Sequence, residues 1–145
     1  MICEINALAT YPVRHPVLRA GKPLETCRFD GDDDAKTVHF GYYEHGRLLG
    51  VASLFAVPNH EFEYPAQLQL RGMAVLPDAQ KKGIGEQLVR HAEDFAHQRH
   101  YKLIWFNARE VAVGFYQKLG YSVWGGPFAI AGIGTHFMMF KKLRG

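Results

Sequence analysis

Cysteine is nearly missing: Cys3 and Cys27 are the only two in 145 residues, and they form no C-x-x-C pair. Isolated thiols with no signal for export are expected to stay reduced, so no disulfide is expected. The first residues, MICEINALATYPVRH, lack a basic segment followed by an apolar stretch and a small-residue cleavage site, which predicts a cytoplasmic location. Long apolar runs are absent too, and none approaches the roughly 18 residues that span a bilayer, so no membrane partner is expected. An excess of one charge is likewise lacking. The 17 basic and 14 acidic residues give a net charge of +3, and the only adjacent basic pairs are Lys81-Lys82 and Lys141-Lys142. A nucleic-acid stripe is therefore not indicated. His91, His97 and His100 cluster without an H-E-x-x-H pattern, so no metal is expected and a wet helix face is their default place. Ser53 lies in GVASLF, which is not a G-x-S-x-G nucleophile elbow.

What is present is ordinary globular composition, 48% apolar and 21% charged, in a chain sized for a single domain, 1–145. Met1 to Ala7 reads as a first strand, and Leu8 to Leu18 as a helix that Pro12 and Pro16 kink or break. Ala20 to Ala35 reads as a surface loop whose run Asp30-Gly31-Asp32-Asp33-Asp34 is expected to be a solvated acidic turn able to touch a cationic substrate. It fails as a calcium loop because Ala35 and Gly41 stand where Gly and Glu are required. Thr37 to Glu44 and Arg47 to Val57 form a hairpin turning at His45-Gly46. After the polar loop NHEFEYP come a buried strand from Leu68 to Leu76 and a helix from Ile84. Its apolar stripe is Ile84, Leu88, Ala92, Phe95 and Ala96. Lys102 to Asn107 reads as a strand and Ala108 to Leu119 as a helix stopped by Gly120, with Asn107 and Glu110 at capping-box spacing. Tyr121 to Trp124, a Gly/Pro-rich connection over 125–134 and a last strand, His136 to Leu143, complete a mixed sheet with packed helices, an α/β (α+β) fold.

Between the central strand and its helix lies Gln80-Lys81-Lys82-Gly83-Ile84-Gly85. A helix start has unpaired N–H groups and a partial positive charge, and glycine lets an anion approach without meeting a Cβ. That is the chemistry of a pyrophosphate cradle. No third glycine stands at Leu88 and no Gly-Lys-Ser/Thr follows, so neither common nucleotide motif is met; taken alone, the hexapeptide reads equally well as a structural turn.

With the later segment Asn107 to Tyr121, NAREVAVGFYQKLGY, the loop Gln80-x-x-Gly83-x-Gly85 resembles the GNAT superfamily of acyl-CoA-dependent N-acetyltransferases, in order and separation, over about Val38 to Leu143. The resemblance implies a central, mostly antiparallel sheet of about six to seven strands splayed at the middle, with helices on both faces. It implies acetyl-CoA as co-substrate. Met73, Ala74 and Val75 would lie along the pantetheine arm, with an N–H near Val75 donating to the thioester oxygen. The loop Gln80, Lys81, Lys82, Gly83, Ile84, Gly85 and Glu86 would hold the pyrophosphate. Asn107 would contact the arm, unless it only caps its helix, and Tyr116 would protonate the leaving thiolate. The bland alternative for Tyr116 is a partly buried aromatic beside the stripe Val111, Ala112, Phe115 and Leu119. The base does not declare itself: His136 is the first candidate, as base or substrate contact, with His39, Glu61 and Glu63 behind it and Arg71 and Gln69 able to orient substrate. The expected function is acetyl transfer to a primary amine, small molecule or peptide, in a ternary complex. The alternative is a non-catalytic acyl-CoA sensor, and a homodimer through exposed edge strands is plausible.

Overall fold

A computed structural model describes residues 1–144. Their contacts group into two compact units, one of Met1–Ala56 with Leu70–Phe95 and one of 57–69 with 96–144.

In the first unit, β1 (Ile2–Ile5), β2 (Val38–Glu44) and β3 (Arg47–Phe55) pair antiparallel in sequence order. The β2–β3 hairpin turns where the dipeptide predicts. His45 and Gly46 both have positive φ, 52° and 77°, the backbone of a turn whose twist matches that of its strands. The prolines are accommodated by a 3-10 turn at Leu8–Thr10 followed by α1 (Tyr11–Leu18), with Pro12 in its first turn and Pro16 inside it. A short helix that breaks its own hydrogen-bond ladder holds through packing: Val13 is fully buried with Val51 and Ala74, beneath Ile5, Val17, Leu18, Leu48 and Leu76. β4 (Gln67–Val75) reaches this unit from Leu70 onward, and a 3-10 turn at Pro77–Ala79 leads to α2 (Ile84–Gln98). Ile84, Leu88, Ala92 and Ala96 are buried on α2, and Phe95 packs edge-on against Phe40 at 5.5 Å. His91 departs from the wet face expected for it, because its ring meets Phe40 at 4.9 Å.

In the second unit the first residues of β4 pair parallel with β5 (Leu103–Arg109), which pairs antiparallel with β7 (Gly134–Lys142) and through it with β6 (Ser122–Ile130). The β4–β5 register covers only Gln67–Gln69 with Leu103–Trp105, although β4 continues to Val75. Gln67, nearly buried, pins the 59–65 loop. Its amide donates to the Asn59, Phe62 and Tyr64 carbonyls at 3.2, 3.1 and 2.6 Å, and its carbonyl accepts from the Asn59 N–H at 2.8 Å. Loop backbone is thereby satisfied without a ladder.

Strand order is β1-β2-β3-β4 in the first unit and β4-β5-β7-β6 in the second, a mostly antiparallel seven-stranded set. Two expected boundaries are corrected. β5 runs through Asn107 to Arg109 because β7 pairs with it that far; a 3-10 turn at Glu110–Ala112 follows, and α3 is only Val113–Lys118. Gly125-Gly126-Pro127 is not a connection but lies inside β6, where a register shift between Trp124 and Phe128 makes a bulge on an edge strand. Among the described residues no helix is long and apolar enough to cross a membrane.

Candidate active site

The first unit holds the loop expected to bind the pyrophosphate. The extended run of β4 is broken at Gly72, with φ 67°, and the strand then passes through Met73, Ala74 and Val75. Beyond it the chain folds back on itself: the Gln80 side-chain amide donates to the Val75 carbonyl at 3.0 Å. This bond fixes the entrance of the loop and gives Gln80 a role that backbone amides alone could not fill. Lys81 and Gly83 then take left-handed backbone, φ 63° and 82°. Ile84 anchors the start of α2 in the core, and the helix closes its first turn with Gln87 N–H to Gly83 O at 3.1 Å. Lys81, Lys82, Gly83 and Glu86 are exposed and Gly85 is partly so. A Cβ at Gly83 would meet no atom within 4 Å, so the space above it is open to a ligand. Nearby, Arg47 and Asp78 pair at 3.0 Å on the surface and hold the turn before the loop.

The second unit holds the remaining candidates. Tyr116 is the buried residue of α3, 7% exposed, with ring centroids of Phe106 at 4.3 Å, Phe115 at 5.0 Å and Tyr121 at 6.1 Å. Burial pushes its phenol pKa upward, so it stays protonated across the neutral range. The stripe expected around it holds only in part, with Leu119 buried as expected and Ala112 half-buried. Val111 and Phe115 are exposed at 92% and 39%, while Tyr116 and Leu119 face inward; starting the helix at Val113 rather than Ala108 changes the buried phase. Asn107 is not a helix cap. It sits exposed on β5 opposite Met138, and Ala112 occupies the N-cap of α3. His136 is 5% exposed on β7, opposite Arg109, with Nδ1 2.9 Å from the Gly134 carbonyl. A carbonyl only accepts, so Nδ1 carries the hydrogen and Nε2 of the neutral ring is left as the acceptor. Glu61 and Glu63 are exposed in the 59–65 loop.

The sequence reading missed a buried polar cluster in the first unit. Asp32, expected in a solvated turn, is 5% exposed and accepts two bonds from fully buried Arg14, at 2.7 and 3.1 Å, and one from the Phe29 N–H at 2.9 Å. Asp30, Asp33 and Asp34 do face water. Arg14 also donates to the Cys27 carbonyl at 2.9 Å and to Ser53 Oγ at 3.1 Å. His39 Nδ1 lies 2.6 Å from Ser53 Oγ and its Nε2 3.0 Å from the Asp32 carbonyl. Since that carbonyl takes the Nε2 hydrogen, Ser53 donates to Nδ1. Serine, histidine and aspartate thus meet without making a nucleophile: Ser53 is wholly enclosed, and its oxygen is held by a cation. His39 is likewise unable to serve as an exposed base. No local sequence signal marks this cluster, because Arg14 and Asp32 lie 18 residues apart.

A family model described as Acetyltransferase (GNAT) family matches residues 5–121. The chain belongs to that family. It is 35% identical over 140 residues, 97% of this chain and 94% of the other, to a Bacillus subtilis protein named uncharacterized N-acetyltransferase YitI. Among solved structures it is similar to a putative N-acetyltransferase from Lactobacillus plantarum, at TM-score 0.78 and 22% identity over 99% of both chains. It is also similar to an aminoglycoside 6'-N-acetyltransferase complexed with coenzyme A, at TM-score 0.73 and 18% identity over 98% of this chain and 96% of that one. This chain is thus a GNAT acetyltransferase, and the seven-stranded, mostly antiparallel sheet is the fold of its structural neighbours. The GNAT match begins in β1 and ends at Tyr121, so it takes in both the 80–86 loop and the Tyr116 helix.

Proposed function

We propose that the chain, as one domain, transfers an acetyl group from acetyl-CoA to a primary amine by direct attack in a ternary complex. The observation that carries this is the loop between β4 and α2, where left-handed backbone at Lys81 and Gly83 and open space above Gly83 meet the start of a 15-residue helix. Backbone amides of residues 81–86 would hold the pyrophosphate at that positive helix end, with Gln80 keeping the loop in shape. Met73, Ala74 and Val75 would offer main-chain groups to the pantetheine arm, the N–H near Val75 to the thioester oxygen, and Asn107 a side-chain amide.

An amine near its ordinary pKa of ~10 must lose a proton before it attacks. Its nitrogen then bonds to the acetyl carbon, the carbonyl oxygen gathers negative charge, and the C–S bond breaks to give an amide and a thiolate. A pre-placed N–H contributes ~3–4 kcal/mol at the charged stage. Tyr116, kept neutral by burial, would return a proton to the sulfur, and Nε2 of His136 would receive the amine's proton or contact the acceptor. The free thiols at Cys3 and Cys27 fit a reducing compartment, the cytoplasm.

The test is thiol release from acetyl-CoA across an amine panel, with Tyr116→Phe alongside wild type. Turnover that drops by ~10²-fold or more in the variant supports the acid role. Equal rates for every amine remove it. An intact protein that binds acetyl-CoA and acetylates nothing would be a sensor instead.

A further inference from the structure

Three guanidinium groups surround one ring in the first unit. The Arg14, Arg71 and Arg19 carbons lie 4.0, 5.0 and 5.2 Å from the Phe29 centroid, and Arg71 also lies 5.2 Å from that of Phe55. Their charges are answered unequally. Arg14 takes both oxygens of Asp32. Arg19 donates to the Thr26 and Leu18 carbonyls at 3.2 and 2.9 Å. Arg71 is only partly exposed, and among the described residues it makes neither a hydrogen bond nor an ion pair. Burial draws its pKa down, with the charges of Arg14 and Arg19 adding to that and those of Asp32 and Asp30 opposing it.

A half-buried guanidinium held between two aromatic faces has its rotamer set and part of its water removed, yet its donors have no anion. It stands two residues before Met73 on β4, the strand proposed to carry the acyl arm. We propose that Arg71 binds the amine acceptor, and that the acceptor bears a carboxylate. One guanidinium fork matches one carboxylate in charge and shape, as Arg14 and Asp32 demonstrate alongside; a phosphate dianion would call for a second open fork, and the Arg19 guanidinium already gives two of its N–H groups to the Thr26 and Leu18 carbonyls. The inference rests on the acetyltransferase reading and narrows its acceptor.

The experiment compares amines in matched sets: the carboxylate, its carboxamide, and the phosphate or phosphonate analogue. Each is assayed by thiol release with wild type, Arg71→Gln and Arg71→Lys, and acetyl-CoA affinity is titrated separately. The expected result is a wild-type preference for acid over amide in kcat/KM. That preference falls roughly ten- to hundredfold in Arg71→Gln and recovers in part in Arg71→Lys. Acetyl-CoA dissociation constants stay within twofold. The inference is overturned if acid and amide fall equally, if phosphate analogues or neutral amines are preferred, or if acetyl-CoA binds while no carboxylate-bearing amine turns over. A large rise in the acetyl-CoA dissociation constant would move Arg71 to the cofactor site and also overturn it. Failure of wild type to bind acetyl-CoA would sink the acetyltransferase reading itself, a result the titration shows on its own.

Discussion

Removing the carboxylate of Asp32 should be among the most damaging single changes in this chain outside the catalytic machinery. The side chains of Arg14 and Asp32 are 0% and 1% exposed, and they meet at 2.7 Å. In Asp32→Ala the guanidinium keeps the Cys27 carbonyl and Ser53 Oγ but no longer has a counter-charge, and it cannot reach water. Breaking one side of a buried pair typically costs ~3–5 kcal/mol, against ~1 kcal/mol or less for an exposed one. For 145 residues the unfolding entropy is roughly 0.3 kcal/mol/K, so the midpoint should fall by about 10 °C or more. The assay is paired thermal and urea unfolding of wild type, Asp32→Ala, Arg14→Met and the double variant Arg14→Met/Asp32→Ala. Because an apolar pair leaves no orphaned charge, the double variant should be more stable than Asp32→Ala. Acid supplies a second readout. Burial alone raises the Asp32 pKa, but the hydrogen bonds from Arg14 and the Phe29 N–H outweigh it and hold the carboxyl below its ordinary value. A lowered folded pKa gives stability that is fully present above the unfolded value of ~3.9 and is lost as pH falls through the folded one. Wild type should therefore lose stability below about pH 4 more steeply than Asp32→Ala. A cost under 1 kcal/mol, or single effects that simply add in the double variant, would refute the reasoning.

Two further predictions concern β4 and α3. Gly72→Ala forces a Cβ into left-handed backbone at φ 67°, 3.1 Å from Phe29 Cε2 and 3.3 Å from Arg14 Nε; a loss of ~2–4 kcal/mol in urea unfolding is expected, and a neutral result would mean β4 does not hold this backbone. Tyr116 has its pKa raised by burial, so its neutral form carries stability that is complete below pH ~10 and is lost as pH rises beyond it. Tyr116→Phe should flatten that alkaline limb in thermal unfolding while slowing acetyl transfer, and an unchanged limb would place the phenol in water.

What the sequence made legible was local. The hairpin followed from His45-Gly46, and α2 from a five-residue stripe, because turn backbone and helix phase are decided by near neighbours. The 80–85 loop was legible as a helix start with glycine, and the linked Asn107 to Tyr121 segment gave it a family. What failed depended on partners distant in the chain. Asn107 reads as a cap, but the register of β7 against β5 keeps it in a strand. The glycines and proline of 125–127 read as a break, but β7 pairs on either side of them and turns them into a bulge. Asp32 reads as one of four solvated carboxylates until α1 brings Arg14 to it.

The most direct test of the central claim is calorimetric titration of acetyl-CoA into wild type and Gly83→Val. The substitution strains a residue at φ 82°, but its Cβ meets no protein atom within 4 Å, so its main effect should fall on a ligand that uses the space above the loop. Saturable one-site binding is predicted for wild type, with a dissociation constant at least tenfold weaker in a folded Gly83→Val. Equal affinity in the two proteins would contradict the loop's role, and no binding to wild type would contradict the account as a whole.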